Sequence, residues 1–146
     1  MKIQPSLAAG LAGPLALTAL HETVRRLRPR DAPRMDLLGE RALRQLLARA
    51  DADQPDDQEA YFLTMAGDLV GNVLYFSLVG SGPHVPRRSL LLGVGAGVGG
   101  VVLPGPLGLG SAPSARTPQT QAMTVAWYTV GGVVAGAVAW ALHRRR

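Results

Sequence analysis

Four long apolar runs, separated by charged or Pro/Gly-rich segments, organise this sequence. They cover residues 3–23, 60–79, 89–109 and 122–142, and the first carries no charge between Ser6 and Leu20. Each is about 20 residues long, which as an α-helix spans roughly 30 Å, the thickness of a bilayer's hydrocarbon core. None alternates polar and apolar positions as a barrel strand of about ten residues does. An apolar backbone of this length satisfies its own hydrogen bonds in lipid only as a helix. A soluble helical core is disfavoured, because four such runs in 146 residues leave too little polar surface to cover them. The pattern predicts an all-α fold: a polytopic transmembrane bundle of four spans, one membrane domain over 1–146. Lys2 before an apolar stretch also resembles the outline of a signal peptide. No small-x-small cleavage site follows before His21, however, and Gly10, Gly13 and Pro14 suit helix packing, so the first run is expected to be retained.

The one substantial extramembrane segment is 25–59. Within it, Leu37, Leu38, Leu43, Leu46 and Leu47 recur at helical spacing while Glu40, Arg41, Arg44 and Arg49 take other positions. This predicts an amphipathic helix over 35–50, capped by Asp36, lying in the interface plane or packed under the bundle. The acidic stretch 51–59, with Pro55, reads as a turn.

Composition agrees without deciding: 47% hydrophobic, 17% charged, 18 glycines and no cysteine. That excludes a disordered chain, a disulfide scaffold and a thiolate metal site. Charge adds more through its placement. Of the 15 basic residues all but Lys2 are arginine, and they collect at the borders of the apolar runs, as at Arg87 with Arg88 and at residues 144–146. Such borders contact lipid headgroups; nucleic acid, which needs a basic face on a binding fold, is not an expected partner. Arg25, Arg26, Arg28, Arg30 and Arg34 are the expected headgroup-binding set. Four spans put both termini on one side, where Lys2, Arg87, Arg88 and residues 144–146 have no nearby acid. The long loop, with eight arginines and eight acids, lies opposite. These biases compete; the count of basic residues alone makes the long loop cytoplasmic, in a bacterial inner membrane.

Asp68 is the only acid in the interior of a span, roughly 12 Å into the second run, whereas Glu22 stands at the end of the first. An intramembrane carboxylate is paired, protonated or facing a polar cavity, and Asn72 shares its face one turn on. At the loop end of the first run, Thr18, His21 and Arg25 form one stripe with Glu22 adjoining. An antiparallel hairpin of the first two runs would bring Thr18 and His21 to the depth of Asp68 around one polar pocket. These groups suit proton transfer or solute contact. No metal is expected, since His21 and Glu22 diverge by about 100° on a helix and no HExxH follows. Small residues at four-residue spacing, Gly93 with Gly97 and Ala96 with Gly100, mark close helix contacts, as do Gly131, Gly132 and Gly136. They predict a homo-oligomer or another membrane protein as partner. Pro104 and Pro106 are expected to break the third span or to end it. Neither glycine series is a phosphate loop, and no cofactor is indicated.

Three functions fit these residues. The first is a transporter or channel protomer with a polar path around Asp68. The second is a structural or assembly subunit, in which Asp68 is a helix-to-helix hydrogen bond. The third is a membrane-embedded enzyme acting at the lipid interface.

Overall fold

A computed structural model describes residues 3–144, with side chains from Leu7 onward. Lys2, Arg145 and Arg146, which enter the charge count at the termini, lie outside the described residues. The described chain is all-helical: α1 (Ile3–Leu27), α2 (Met35–Arg49), α3 (Asp57–Ser77), α4 (Val85–Val102), the single turn α5 (Ala112–Ala115) and α6 (Pro118–Arg144).

The helix ends follow local chemistry. α1 stops shortly before Pro29, with Arg25 and Arg26 in its last turn, where cations complement the helix dipole. At the start of α3 the Asp56 carboxylate accepts the Glu59 N–H at 2.8 Å, so that helix begins ahead of its apolar run. α4 starts four residues ahead of the expected span, with a proline in its first turn where no donor is lost. It ends at Val102, because Pro104 has no N–H to donate and disfavours helical backbone at the residue before it. The third run is therefore a helix that stops, not a broken span reaching 109. Residues 103–111 instead form turns that put Gly108 and Gly110 at φ +74° and +78°, the left-handed region. α2 matches the expected amphipathic helix, but its N-cap is Arg34 without a side-chain cap bond. Asp36 is occupied by Arg34 rather than by the helix end.

α6 is the central element, flanked by α4 on one side and α1 on the other, with α3 antiparallel to α1. Small residues permit these approaches. A Cβ on Gly97 would stand 2.6 Å from the Val125 Cα, one on Gly93 2.8 Å from the Tyr128 carbonyl, and one on Gly132 2.8 Å from the Gly93 Cα. Gly100 faces Thr124, and Gly136 faces Ser89. On the other side Gly13 and Gly131 oppose one another, and Gly10 seats against Val73 and Ser77 of α3. The interior is thus mostly Gly, Ala, Ser and Thr, with Phe76, Val79 and Val85 the largest apolar side chains fully enclosed. Gly93, Gly97, Gly100, Gly131, Gly132 and Gly136 spend their close approaches inside one chain, so they give no ground for the homo-oligomer expected from them.

Among the described residues, two helices are long and apolar enough to cross a membrane, α1 over Leu7–Leu27 and α6 over Pro118–Arg144. α3 and α4 fall short of that measure. Asp68 and Asn72 dilute α3; Arg87, Arg88 and five glycines dilute α4, which has only 18 residues.

Replacing Gly97 by alanine should lower the thermal midpoint of the purified protein, by about 1–3 kcal/mol of stability, because backbone must move to admit the methyl. Gly67 on α3 has nothing within 4 Å of a built Cβ. Gly67→Ala should leave the midpoint unchanged or raise it, by up to about 1 kcal/mol of stability. Thermal melts of both variants in one detergent check the contrast.

Candidate functional site

Above the glycine-packed half of the bundle, towards the 25–59 segment, α1 and α3 diverge and α2 lies across the gap. The resulting cavity measures about 70 Å³ and is lined by Thr18, His21, Glu22 and Arg25 of α1, Asp36 and Gly39 of α2, Tyr61, Thr64 and Asp68 of α3, and Tyr128 of α6. On the water-sized scale that volume admits on the order of five waters. The antiparallel α1–α3 pairing sets the depth: Gly10 faces Ser77 at one end, so Thr18 and His21 meet Thr64 and Asp68 at the other.

His21 is wedged edge-on against the buried Trp127, ring centroids 4.6 Å apart, and stands 6.5 Å from the Tyr128 ring. Its Nε2 is buried with no hydrogen-bond partner. Thr64 is 7% exposed, and its Oγ1 is likewise without a partner. Buried polar atoms are nearly always satisfied, so two orphans on one cavity wall are an unusual concentration. Asp68 lies at the rim and is solvent-accessible. Its polar neighbours are the Asn72 side chain and, across the gap, Tyr128.

The arginines near the cavity are already committed. Arg25 donates to Glu22 at 3.1 Å and lies 3.9 Å from Asp36. The Arg34 guanidinium grips Asp36 with Nε at 2.9 Å and Nη2 at 2.7 Å, a fork that suits a carboxylate. Burial pushes the Asp36 carboxyl up, but these bonds, the Arg34 charge, the Leu37 N–H and Arg25 together hold it below its ordinary value.

α2 is fixed in place as a roof. Leu38 is buried, and Gly39 lies so close to the Thr64 methyl that a Cβ would collide with it. Arg41 donates to the Leu109 carbonyl at 2.6 Å and Gln45 to the Gly108 carbonyl at 3.1 Å, and the Arg34 N–H reaches the Pro113 carbonyl at 2.8 Å. From α6, Thr120 donates to the Asp31 carbonyl at 3.1 Å and Thr124 to the Ser114 carbonyl at 2.8 Å. The loops that close this end thus have their backbone satisfied by side chains from distant helices.

The structure brings Thr18, His21, Glu22 and Asp68 together as the hairpin argument expects. Asn72 is beside Asp68 but outside the cavity lining. The five loop arginines do not form one cluster. Arg25 and Arg34 turn inward onto carboxylates, whereas Arg26, Arg28 and Arg30 stay exposed and the Arg30 carbonyl accepts from Arg116. Sequence reasoning missed Thr64, Tyr61 and Tyr128, and did not place Asp36 in the cavity. Thr64 had a readable signal, since 64, 68 and 72 form one stripe of α3; Tyr128 had none, because only tertiary packing carries it there. Among the described residues, no three His, Cys, Asp or Glu side chains converge closely enough to hold a metal ion. Comparison with protein families, with curated proteins and with solved structures finds no match to this chain.

The Arg34–Asp36 pair generates a pH prediction. A carboxyl whose folded pKa is depressed adds stability that is complete above its ordinary value, about 3.8. That stability is lost as pH falls through the lower folded value. Asp36→Asn should cost about 1–3 kcal/mol near neutral pH, the range for a hydrogen bond to a charged group. It should also flatten the acid limb of a plot of thermal midpoint against pH between 7 and 3; a limb of unchanged steepness would show that other carboxylates control it.

Proposed function

We propose that this chain is a small multi-pass integral membrane protein, with α1, α3, α4 and α6 as its four spans, and that the cavity is the solute site of a transporter. The reading rests on one observation: Thr18, His21, Glu22 and Asp68, from two different helices, line a single cavity with two unsatisfied buried polar atoms. The bilayer assignment of α3 and α4 is supported by their outward faces. Leu74 is 64% exposed, Leu91 61% and Val102 57%, beside Phe62, Leu69, Val70, Leu90, Val94 and Val98. Apolar faces of this extent, wrapped around an interior of small residues, are suited to lipid. Arg28 and Arg30, and the exposed Arg26 beyond its 4.0 Å pairing with Glu22, can meet headgroups on the loop side, with the protein in a bacterial inner membrane.

A transporter is favoured over an open channel because the helices close beneath the cavity. Leu17 is buried there, Gly13 meets Gly131, and Phe76, Ala9 and Ala135 are fully enclosed. Passage past this contact requires helices to move, which is alternating access. A second reading, an assembly subunit, draws on Gly67 and Gly71, one turn apart with nothing within 4 Å of either.

Two measurements test the proposal. The chain has no cysteine, so single cysteines report position directly. In proteoliposomes, Leu74→Cys and Val94→Cys should resist a membrane-impermeant maleimide while Arg49→Cys reacts; rapid labelling of all three would remove α3 and α4 from the bilayer. For transport, vesicles containing the protein are challenged with gradients of methylammonium chloride, sodium acetate and urea. At least one solute should move faster than in protein-free vesicles, and Asp68→Asn should slow it about ten-fold, the cost of one charged hydrogen bond. No acceleration for any of the three, or undiminished flux in Asp68→Asn, would refute the transport reading.

A further inference from the structure

The charges and unsatisfied atoms of the cavity specify what it takes. Three carboxylates face it, from Glu22, Asp36 and Asp68. Two are neutralised within the protein, Glu22 by Arg25 and Asp36 by Arg34. Asp68 has no basic partner among the ion pairs of the described residues; its neighbours, Asn72 and Tyr128, are uncharged. The Arg25 guanidinium, the one cation on the lining, is held between Glu22 and Asp36 and is not free for an anion. The uncompensated charge of the site is therefore one carboxylate.

The remaining polar groups are acceptors to match it. The orphaned Thr64 hydroxyl has lone pairs free, and a neutral imidazole always presents one acceptor nitrogen, which is the orphaned Nε2 of His21 when the ring carries its proton on Nδ1. Thr64 lines the cavity and is more than nine-tenths buried, and its hydroxyl has no partner within the protein. Tyr61 and Tyr128, whose ring systems attract cations, also line the cavity. The volume, about 70 Å³, suits a group of a few non-hydrogen atoms.

We infer that the cavity beneath α2 is a binding site for a small ammonium-type cation, a group with one positive charge and several N–H donors, held by the Asp68 carboxylate, the Thr64 hydroxyl and His21. This rests on the transporter reading for its consequence but not for its chemistry. A compact ammonium supplies up to three donors, one for each acceptor. An inorganic divalent ion needs at least three converging carboxylate or imidazole ligands, and no such group of three is present among the described residues. An anion would meet net negative charge. A quaternary ammonium has the charge without the donors, and would leave Thr64 and His21 unsatisfied.

Trp127 packs on His21 and so reports occupancy. The second tryptophan, Trp140, is removed by Trp140→Phe, and the purified full-length protein in lipid nanodiscs is titrated with methylammonium chloride. A saturable change in Trp127 fluorescence is expected with methylammonium and none with tetramethylammonium or sodium acetate. Asp68→Asn and the isosteric Thr64→Val should each weaken apparent affinity about ten-fold. Thr64→Val should at the same time raise the thermal midpoint of the ligand-free protein, because it removes a buried hydroxyl with no partner. A Thr64 that only fills space would leave affinity untouched. No saturation with methylammonium, an equal response to acetate, or unchanged affinity in Asp68→Asn would overturn the inference. The two proposals fail separately: Asp68-dependent flux of urea or acetate without methylammonium binding leaves the transporter and removes the ammonium site. Binding without flux of any solute leaves the site and removes transport.

Discussion

The close backbone approach of α6 to two helices at once is the constraint from which the rest of this structure follows. On one side Gly132 meets Gly93, and on the other Gly131 meets Gly13. Two adjacent glycines on one helix point about 100° apart, so each serves a different neighbour. Without side chains at these points, backbone atoms come within van der Waals reach and dispersion contacts accumulate along the whole crossing. In lipid this packing is the main attraction between helices, since burying leucine from a hydrocarbon solvent gains little. Many large side chains are accordingly turned outward and the glycines inward, with Leu17, Phe76, Trp127 and Tyr128 among the large residues that stay buried.

That constraint also places the cavity. Where glycine and alanine line the crossings the helices close; towards Trp127 and Tyr128 the side chains on α6 become large. His21 fills part of the gap edge-on against Trp127. The residual space cannot be filled from α1 or α3 alone, and α2 covers it, anchored by Arg41 and Gln45 to the turns that follow α4. Those turns exist because Pro104 ends α4 early. The expected interfacial helix is thus a roof over a polar site, and its arginines at 41 and 44 serve backbone carbonyls rather than lipid.

Much of the fold was legible from residue order. The four apolar runs correspond to α1, α3, α4 and α6, and the leucine spacing of α2 gave its extent almost to the residue. The ends were harder. A proline within two residues of Val102 stops α4, while Pro14 sits within α1 without ending it. Local sequence alone does not separate these cases, because neighbouring helices decide whether a lost backbone bond is tolerated. In the site, the stripe on α1 and the depth of Asp68 were readable from helical periodicity and hairpin antiparallelism. Asp36 was misread as a cap: its oxygens are closer to the Arg34 fork than to the free N–H groups of α2.

By itself the sequence determined which segments are helical, which end carries the polar residues, and that glycine would mark the contacts. Periodicity, capping and chain reversal are properties of neighbouring residues, and they survive without a partner. Tertiary structure alone decided that the glycine faces are consumed within one chain, that Thr64 and Nε2 of His21 are buried without partners, and that Asp68 is the carboxylate left uncompensated. Each of these depends on residues more than twenty positions apart in sequence meeting in space, and no local rule encodes which charge finds which partner.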